Sequence, residues 1–283
     1  MKPNVAFASH KRNFTGYMRV VVEHIGTLER SHNPGEAGSV GERRLKILDI
    51  PAGAGQVTDA LREQGHEVTP ADINEDRPDF VFADMTARFP FEDGSFDVSL
   101  CLEGIEHMID PVHLLRELIR VVRPGGRVIL STPNVMNFHS RLQFLFTGTL
   151  YQFCPSTLRD IPPGVQADRF HIAPTDYHRL RYLADHFGCD VERVLGDKWK
   201  RAGLLPIYGL LWLVGYPWAR RLFFNREANQ WRARNQEIFR HINSPAALFS
   251  RSLVVVLKKR AGALPSEARA PGQERRDVRT MVR

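Results

Sequence analysis

Cysteine is scarce in this 283-residue chain. Cys101, Cys154 and Cys189 are too widely spaced, and odd in number, for a disulfide framework or a zinc cluster, so reduced thiols are expected. The opening residues MKPNVAFASHKRNF carry charge but lack an apolar core of signal-peptide length, which points to the cytoplasm. No segment recurs at a fixed period, which excludes solenoids and propellers. A uniform basic character is lacking too. The formal net charge is +7, yet residues 1–196 hold 21 Lys+Arg against 26 Asp+Glu, while residues 197–283 hold 18 against 6. Nucleic-acid binding across the larger part of the chain is therefore not expected, because neutralising phosphates needs a basic face.

What is present is an alternation of short apolar runs with helical periods, the pattern of a parallel sheet covered on both faces. Strands are predicted at Lys46–Ile50, Glu67–Ala71, Phe80–Ala83, Asp97–Leu102, Arg127–Ser131, Val191–Leu195 and Ser252–Leu257. Helices are predicted at Gln56–Gln64, at Pro111–Val122 with a stripe of Val112, Leu115, Ile119 and Val122 that stops at Arg123-Pro124-Gly125-Gly126, and at Thr175–Phe187. Residues 1–44 read as a helical or flexible lead-in and 45–260 as one domain. Within it, 196–251 is too long for a plain connection and reads as a helical insertion. Residues 261–283 have no apolar periodicity and read as a disordered basic tail.

The densest signal is KILDIPAGAGQVTDALREQGHEVTPADIN, residues 46–74. Asp49 ends one strand, Gly53 and Gly55 make the turn into a helix, and Asp72 ends the next strand, where a carboxylate can accept hydrogen bonds from ribose hydroxyls. Glycine in that turn lets the backbone approach a ligand. A nicotinamide-dependent enzyme shares this layout, but Thr58 stands at the third glycine or alanine of G-x-G-x-x-G, and the loop carries Pro51.

Together with FADMTARFPFEDGSFDVSLCLEGIEHMIDP and LRELIRVVRPGGRVILSTPN, the run resembles the class I S-adenosylmethionine-dependent methyltransferases over about Lys46 to Asn134. The resemblance implies an α/β, Rossmann-like fold: a mostly parallel seven-stranded sheet with helices on both faces, and here a helical, apolar insertion before the last strand. It also implies S-adenosylmethionine as cofactor. Asp49, Gly53 and Gly55 would face its methionine part, Asp72 its ribose, Ile73 its adenine, and Asp84 with Met85 the adenine amino end. Leu102 would stand beside it at the end of the fourth strand. Pro51 departs from the commoner acidic-x-Gly-x-Gly-x-Gly pattern by replacing its first glycine.

Glu103, Glu106 and His107 resemble the E-x-x-E-H run of ubiquinone-type O-methyltransferases, in which these side chains can hold a divalent cation such as Mg2+. The same residues read alternatively as caps of the helix at Pro111. Methyl transfer to a hydroxyl also needs a base; His107 and Glu103 are the first candidates and His139 the next, with His171 beside it. Arg141 and Arg169 could meet an anionic acceptor.

Ala202 to Ala219 is an 18-residue run without charge, flanked by Lys198, Lys200 and Arg201 and by Arg220 and Arg221. One membrane crossing would put the last strand on the wrong side of the bilayer. Pro206, Gly209, Gly215 and Pro217 suggest a bent or broken element, leaving an interfacial contact through 198–221, a lid or a buried helix pair. The stretch STPNVMNFHSRLQFLFTGTL, residues 131–150, is similar to methyltransferases of cell-envelope polysaccharide and lipid-linked sugar pathways. The expected partners are thus a small-molecule, glycan or lipid-linked acceptor at the inner membrane face. A membrane-attached scaffold without turnover is the alternative class.

Overall fold

The computed structural model describes residues 14–30, 44–74, 77–153, 170–199, 201–225 and 232–262. The opening residues, the approach at 31–43, Cys154, Arg169 and the tail from 263 lie outside them.

Seven strands form one sheet: β1 (Lys46–Asp49), β2 (Glu67–Asp72), β3 (Val81–Phe82), β4 (Phe96–Leu102), β5 (Val122–Pro133), β6 (Cys189–Gly196) and β7 (Ser252–Lys259). Their order is β3-β2-β1-β4-β5-β7-β6. Pairings from β3 through β5 are parallel, whereas β7 runs antiparallel to both β5 and β6. The chain moves outward from β1 in one direction and then, from β4, in the other. The crevice at that reversal, beyond the carboxyl ends of β1 and β4, is where sheets of this kind receive ligands.

Alternation along the strands builds two cores. In β7, Leu253, Val255 and Leu257 point into one, with Leu114, Leu115 and Leu118 of α3 (Pro111–Arg120) and Leu180 of α5 (Tyr177–His186). Val254 and Val256 point into the other, with Val21 and Ile25 of α1 (Gly16–Arg30) and Val57 and Leu61 of α2 (Gln56–Glu63). Both faces are apolar, so the strand reads as an unbroken hydrophobic run. Each such side chain contributes about 1.5–3 kcal/mol by leaving water.

Three local expectations are corrected. The α3 stripe ends at Arg120, and Val122 already belongs to β5. A β-carbon on Gly126 would collide with the Asp97 carbonyl, 2.5 Å away, so glycine lets the start of β5 lie against β4. Residues 138–147 form a helix, α4 (Phe138–Thr147), that no period announced. The insertion folds as α6 (Leu205–Phe224), α7 (Arg232–Ile242) and α8 (Pro245–Phe249). Far from broken, α6 runs through Pro217 as one 20-residue helix. Pro217 lies on its exposed side, where the ring meets no packed neighbour and one lost backbone bond is tolerated. A buried helix pair is excluded as well, since Tyr208 is the one buried side chain of α6 among the described residues.

The asparagines of STPN and VMN are architectural. The Asn134 side-chain amide donates to the carbonyls of Ala246, Ala247 and Ser250, and Asn137 donates to the Ser250 carbonyl. They fasten the end of β5 and the start of α4 to α8.

Candidate active site

At the carboxyl end of β1, Asp49 is buried and accepts a 2.7 Å hydrogen bond from the Thr58 hydroxyl. Burial, with the nearby negative charge of Asp72, pushes its carboxyl up to about 6, against the pull of the Thr58 bond. Thr58, which occupies the third position of a dinucleotide fingerprint, is thus used to hold an acid. Gly53 and Gly55 both have positive φ, 57° and 79°, where any other residue would be strained. The guanidinium of Arg77 lies across Gly55, so a side chain there would also collide. Pro51 follows a cis peptide and packs on Gly104, whose added β-carbon would stand 2.8 Å from the proline ring. The β1 and β4 loops therefore close on each other through a proline and a glycine.

Asp72 accepts from the Gly53 amide at 2.9 Å through one oxygen, and from the Asn74 amide and side chain at 3.0 and 3.1 Å through the other. The end of β2 and the β1 turn are tied into one cradle. Beside it Ile73 is exposed, an apolar ledge, and the Asn74 side-chain oxygen is buried without a partner. Asp84, with Thr86 bonding one of its oxygens, and the half-buried Met85 follow β3. A carboxylate at a strand end, an apolar ledge and a buried acceptor without a partner could together hold a nucleoside. Leu102, at the end of β4, is buried in the core beneath.

Past β4 the chemistry changes. Glu103 has φ 51°, an outlier for a non-glycine residue. Its amide donates to the Ser131 carbonyl and hydroxyl, and its carboxylate accepts from that hydroxyl at 3.1 Å. Burial pushes its carboxyl up to about 7. Glu106 is fully buried and neither carboxylate oxygen has a hydrogen-bond partner; burial first and then Glu103 hold its pKa well above the usual carboxylate range. The helix at Pro111 is capped instead by Asp110, which accepts from Val112 and His113. The capping reading of the two glutamates is therefore withdrawn.

His107 and His171 meet edge to face with ring centres 4.9 Å apart. Residues 172 and 173 are clamped to the motif, both their amides donating 2.9 Å bonds to the Glu106 carbonyl. Nδ1 of His107 faces the Phe170 carbonyl and Nδ1 of His171 the Gln152 carbonyl. A carbonyl only accepts, so each Nδ1 carries a proton. Burial, followed by His107, holds the His171 pKa low. Ligand atoms of Glu106, His107 and His171 lie within 4.8 Å of one another. Glu103, expected among the ligands, is engaged by Ser131 instead, and His171 takes its place. His139 turns its ring to Tyr151, 5.1 Å away, and is not in this group. Arg141 stacks over Phe138 and bonds the Met136 carbonyl.

Three residues of this side escaped sequence reasoning. Tyr17, at the start of α1, has its phenol pushed up to about 12 by burial and then by Glu103. The Arg251 Nε and the Gln152 side-chain nitrogen are buried and unpartnered. No local motif marks them, because they come from chain segments far from residues 46–126.

Residues 48–130 match the methyltransferase-domain family. A ubiquinone biosynthesis O-methyltransferase of Pseudomonas aeruginosa is 35% identical over 56% of this chain and 69% of its own length. The chain belongs to the class I S-adenosylmethionine-dependent methyltransferases. A demethylmenaquinone methyltransferase of Clavibacter sepedonicus is 40% identical, with 34% of this chain and only 44% of that protein's length spanned. Among solved structures, a SAM-dependent methyltransferase from Archaeoglobus fulgidus aligns with 87% of this chain and 98% of its own, at 17% identity and a TM-score of 0.46. The methyltransferase is an enzyme that takes S-adenosylmethionine, which removes the nicotinamide and scaffold alternatives.

Proposed function

We propose that this methyltransferase methylates a hydroxyl oxygen of a polar acceptor, a glycan or a lipid-linked or quinone-type small molecule, at the cytoplasmic face of a membrane. The supporting observation is the pair of imidazoles, 4.9 Å apart and each held through Nδ1 by a carbonyl, beside the buried Glu106. In this reading Asp72 bonds the ribose, Ile73 and Met85 pack on the adenine, Asp84 receives its amino group, and Asp49 with Gly53 and Gly55 faces the methionine part. The acceptor oxygen attacks the sulfonium methyl in line; a C–O bond forms and the C–S bond breaks. The hydroxyl proton passes to Nε2 of His107 or His171, and S-adenosylhomocysteine leaves. A buried polar atom without a partner costs about 1–3 kcal/mol, so the Gln152 and Arg251 nitrogens favour an acceptor rich in oxygen. The names of the relatives, for O-methylation in ubiquinone biosynthesis and for demethylmenaquinone, favour a quinone-type acceptor among these classes.

A divalent cation is the second reading, favoured by the mutual spacing of Glu106, His107 and His171. Bound there it would lower the pKa of the acceptor hydroxyl. The test is transfer of labelled methyl to a panel of catechols, quinols and glycan lipids. His171→Ala and His107→Ala should each lower kcat by about 10²–10³ while leaving cofactor affinity within about twofold. Unchanged kcat in both variants overturns the proposal. Loss of activity on chelation, with recovery in Mn2+ or Zn2+, would assign the cluster to a metal rather than a proton.

A further inference from the structure

The helix α6 is apolar on two sides but packed on one. Tyr208, Trp212 and Tyr216, spaced four apart, face inward: Tyr208 stacks on Phe138 of α4 at 5.6 Å, and Tyr216 meets Phe239 of α7 at 5.4 Å. Turned the opposite way are Ile207, Leu210, Leu211, Val214, Trp218 and Leu222, again three or four apart and so on one face. Val214 is 73% and Trp218 78% exposed. That face extends over about 22 Å of helix. Scattered exposed apolar side chains are ordinary; a continuous stripe is not.

Charge tells which occupant this face suits. From Lys198 through Arg226 there is no acidic residue, and Lys198, Lys200, Arg201, Arg220, Arg221 and Arg226 frame the apolar run. Arg221 lies on the outward side of the helix with Val214 and Trp218. A second copy seated face to face would bring these basic ends against each other or against more apolar surface, with no acidic partner. An anionic lipid surface supplies the missing charge and also takes up the apolar stripe. Among the described residues no helix is long and apolar enough to cross a membrane, which leaves a helix lying in the plane of the bilayer.

We infer that α6 docks this enzyme on anionic bilayers, its outward stripe entering the acyl boundary and Arg220 and Arg221 meeting lipid phosphates. The inference is independent of which atom is methylated. The test is flotation of the full chain with phosphatidylcholine vesicles, with and without phosphatidylglycerol, read with quenching of Trp fluorescence by brominated lipid. Wild type is expected to float with the anionic vesicles and to be quenched. Val214→Asp together with Trp218→Ser should reduce binding at least about tenfold, and Arg220→Glu with Arg221→Glu should remove the preference for phosphatidylglycerol. Both double variants should keep wild-type cofactor affinity, which certifies that they fold. Failure of wild type to bind vesicles overturns the inference. Binding unaffected by either double variant does so too. If instead Val214→Asp/Trp218→Ser converts a dimer to a monomer and wild type ignores vesicles, the face belongs to a second copy and the bilayer assignment is wrong.

Discussion

The strand-end turns proposed for the cofactor and the histidine side proposed for the acceptor are built in opposite ways. At the cofactor edge, Asp49, Gly53, Asp72 and Asp84 follow one another within 36 residues, each at the end of a strand or in the turn after it. On the acceptor side, Tyr17, His107, Gln152, His171 and Arg251 come from segments spread over most of the chain and meet only in space. The first site is held by backbone geometry, positive-φ glycines and an aspartate that bonds the turn itself. The second is held by side chains, many with buried polar atoms left over. A binding task common to many enzymes can be carried by the strand ends, whereas the acceptor task of the proposed reaction would rest on side chains gathered from distant segments.

Three perturbations test this division. The largest effect is expected for Asp72→Ala, which frees the Gly53 amide as well as removing a carboxylate. S-adenosylmethionine affinity should fall about 100-fold by calorimetry, a loss near 3 kcal/mol for a charge-assisted contact. Vesicle binding through α6 should be untouched; equal damage to both would break the comparison. Next is Asn134→Ala, which takes the side-chain donor from the Ala247 carbonyl and one of the donors from those of Ala246 and Ser250. We expect about 2 kcal/mol of destabilisation in denaturant titration, with a larger rise in acceptor KM than in cofactor Kd.

The smallest effect is the pH response of Asp49. Its folded pKa, about 6, lies above the ordinary carboxylate value of 3.8, so its contribution to stability is present below about pH 4 and is lost as pH rises through 6. Asp49→Asn should therefore melt above wild type at pH 8, with the gap closing toward pH 4. Cofactor binding runs the other way, because the ionised carboxylate favours the sulfonium end: affinity should drop about fivefold from pH 6 to pH 5 and stay flat in the variant.

Legibility followed the same division. The strands and α2, α3 and α5 fell within a few residues of their expected bounds because period, caps and punctuation agreed. Helix α4 was missed because Phe144, Leu145 and Phe146 are exposed at its end, so no polar face marks the helix. In sequence Pro217 reads as a helix breaker; in α6 it is exposed and the helix continues through it. His171 could be noted only as a lone candidate base; its nearness to His107 depends on two amides of the following residues bonding the Glu106 carbonyl, a contact with no signature in spacing.

The whole insertion leaves the sheet after Gly196 and returns at Ser252, which sit side by side, and Asp197 fastens that mouth by accepting from the amides of Arg251 and Ser252. Mechanically it is a detour within a single β-hairpin. A push or pull on α6 therefore reaches the sheet at this mouth, beside the Arg251 and Ser252 side chains, and through α4 and α8 at the end of β5, in both places on the side away from β2. Whatever α6 leans on has a lever on the acceptor and almost none on the nucleoside.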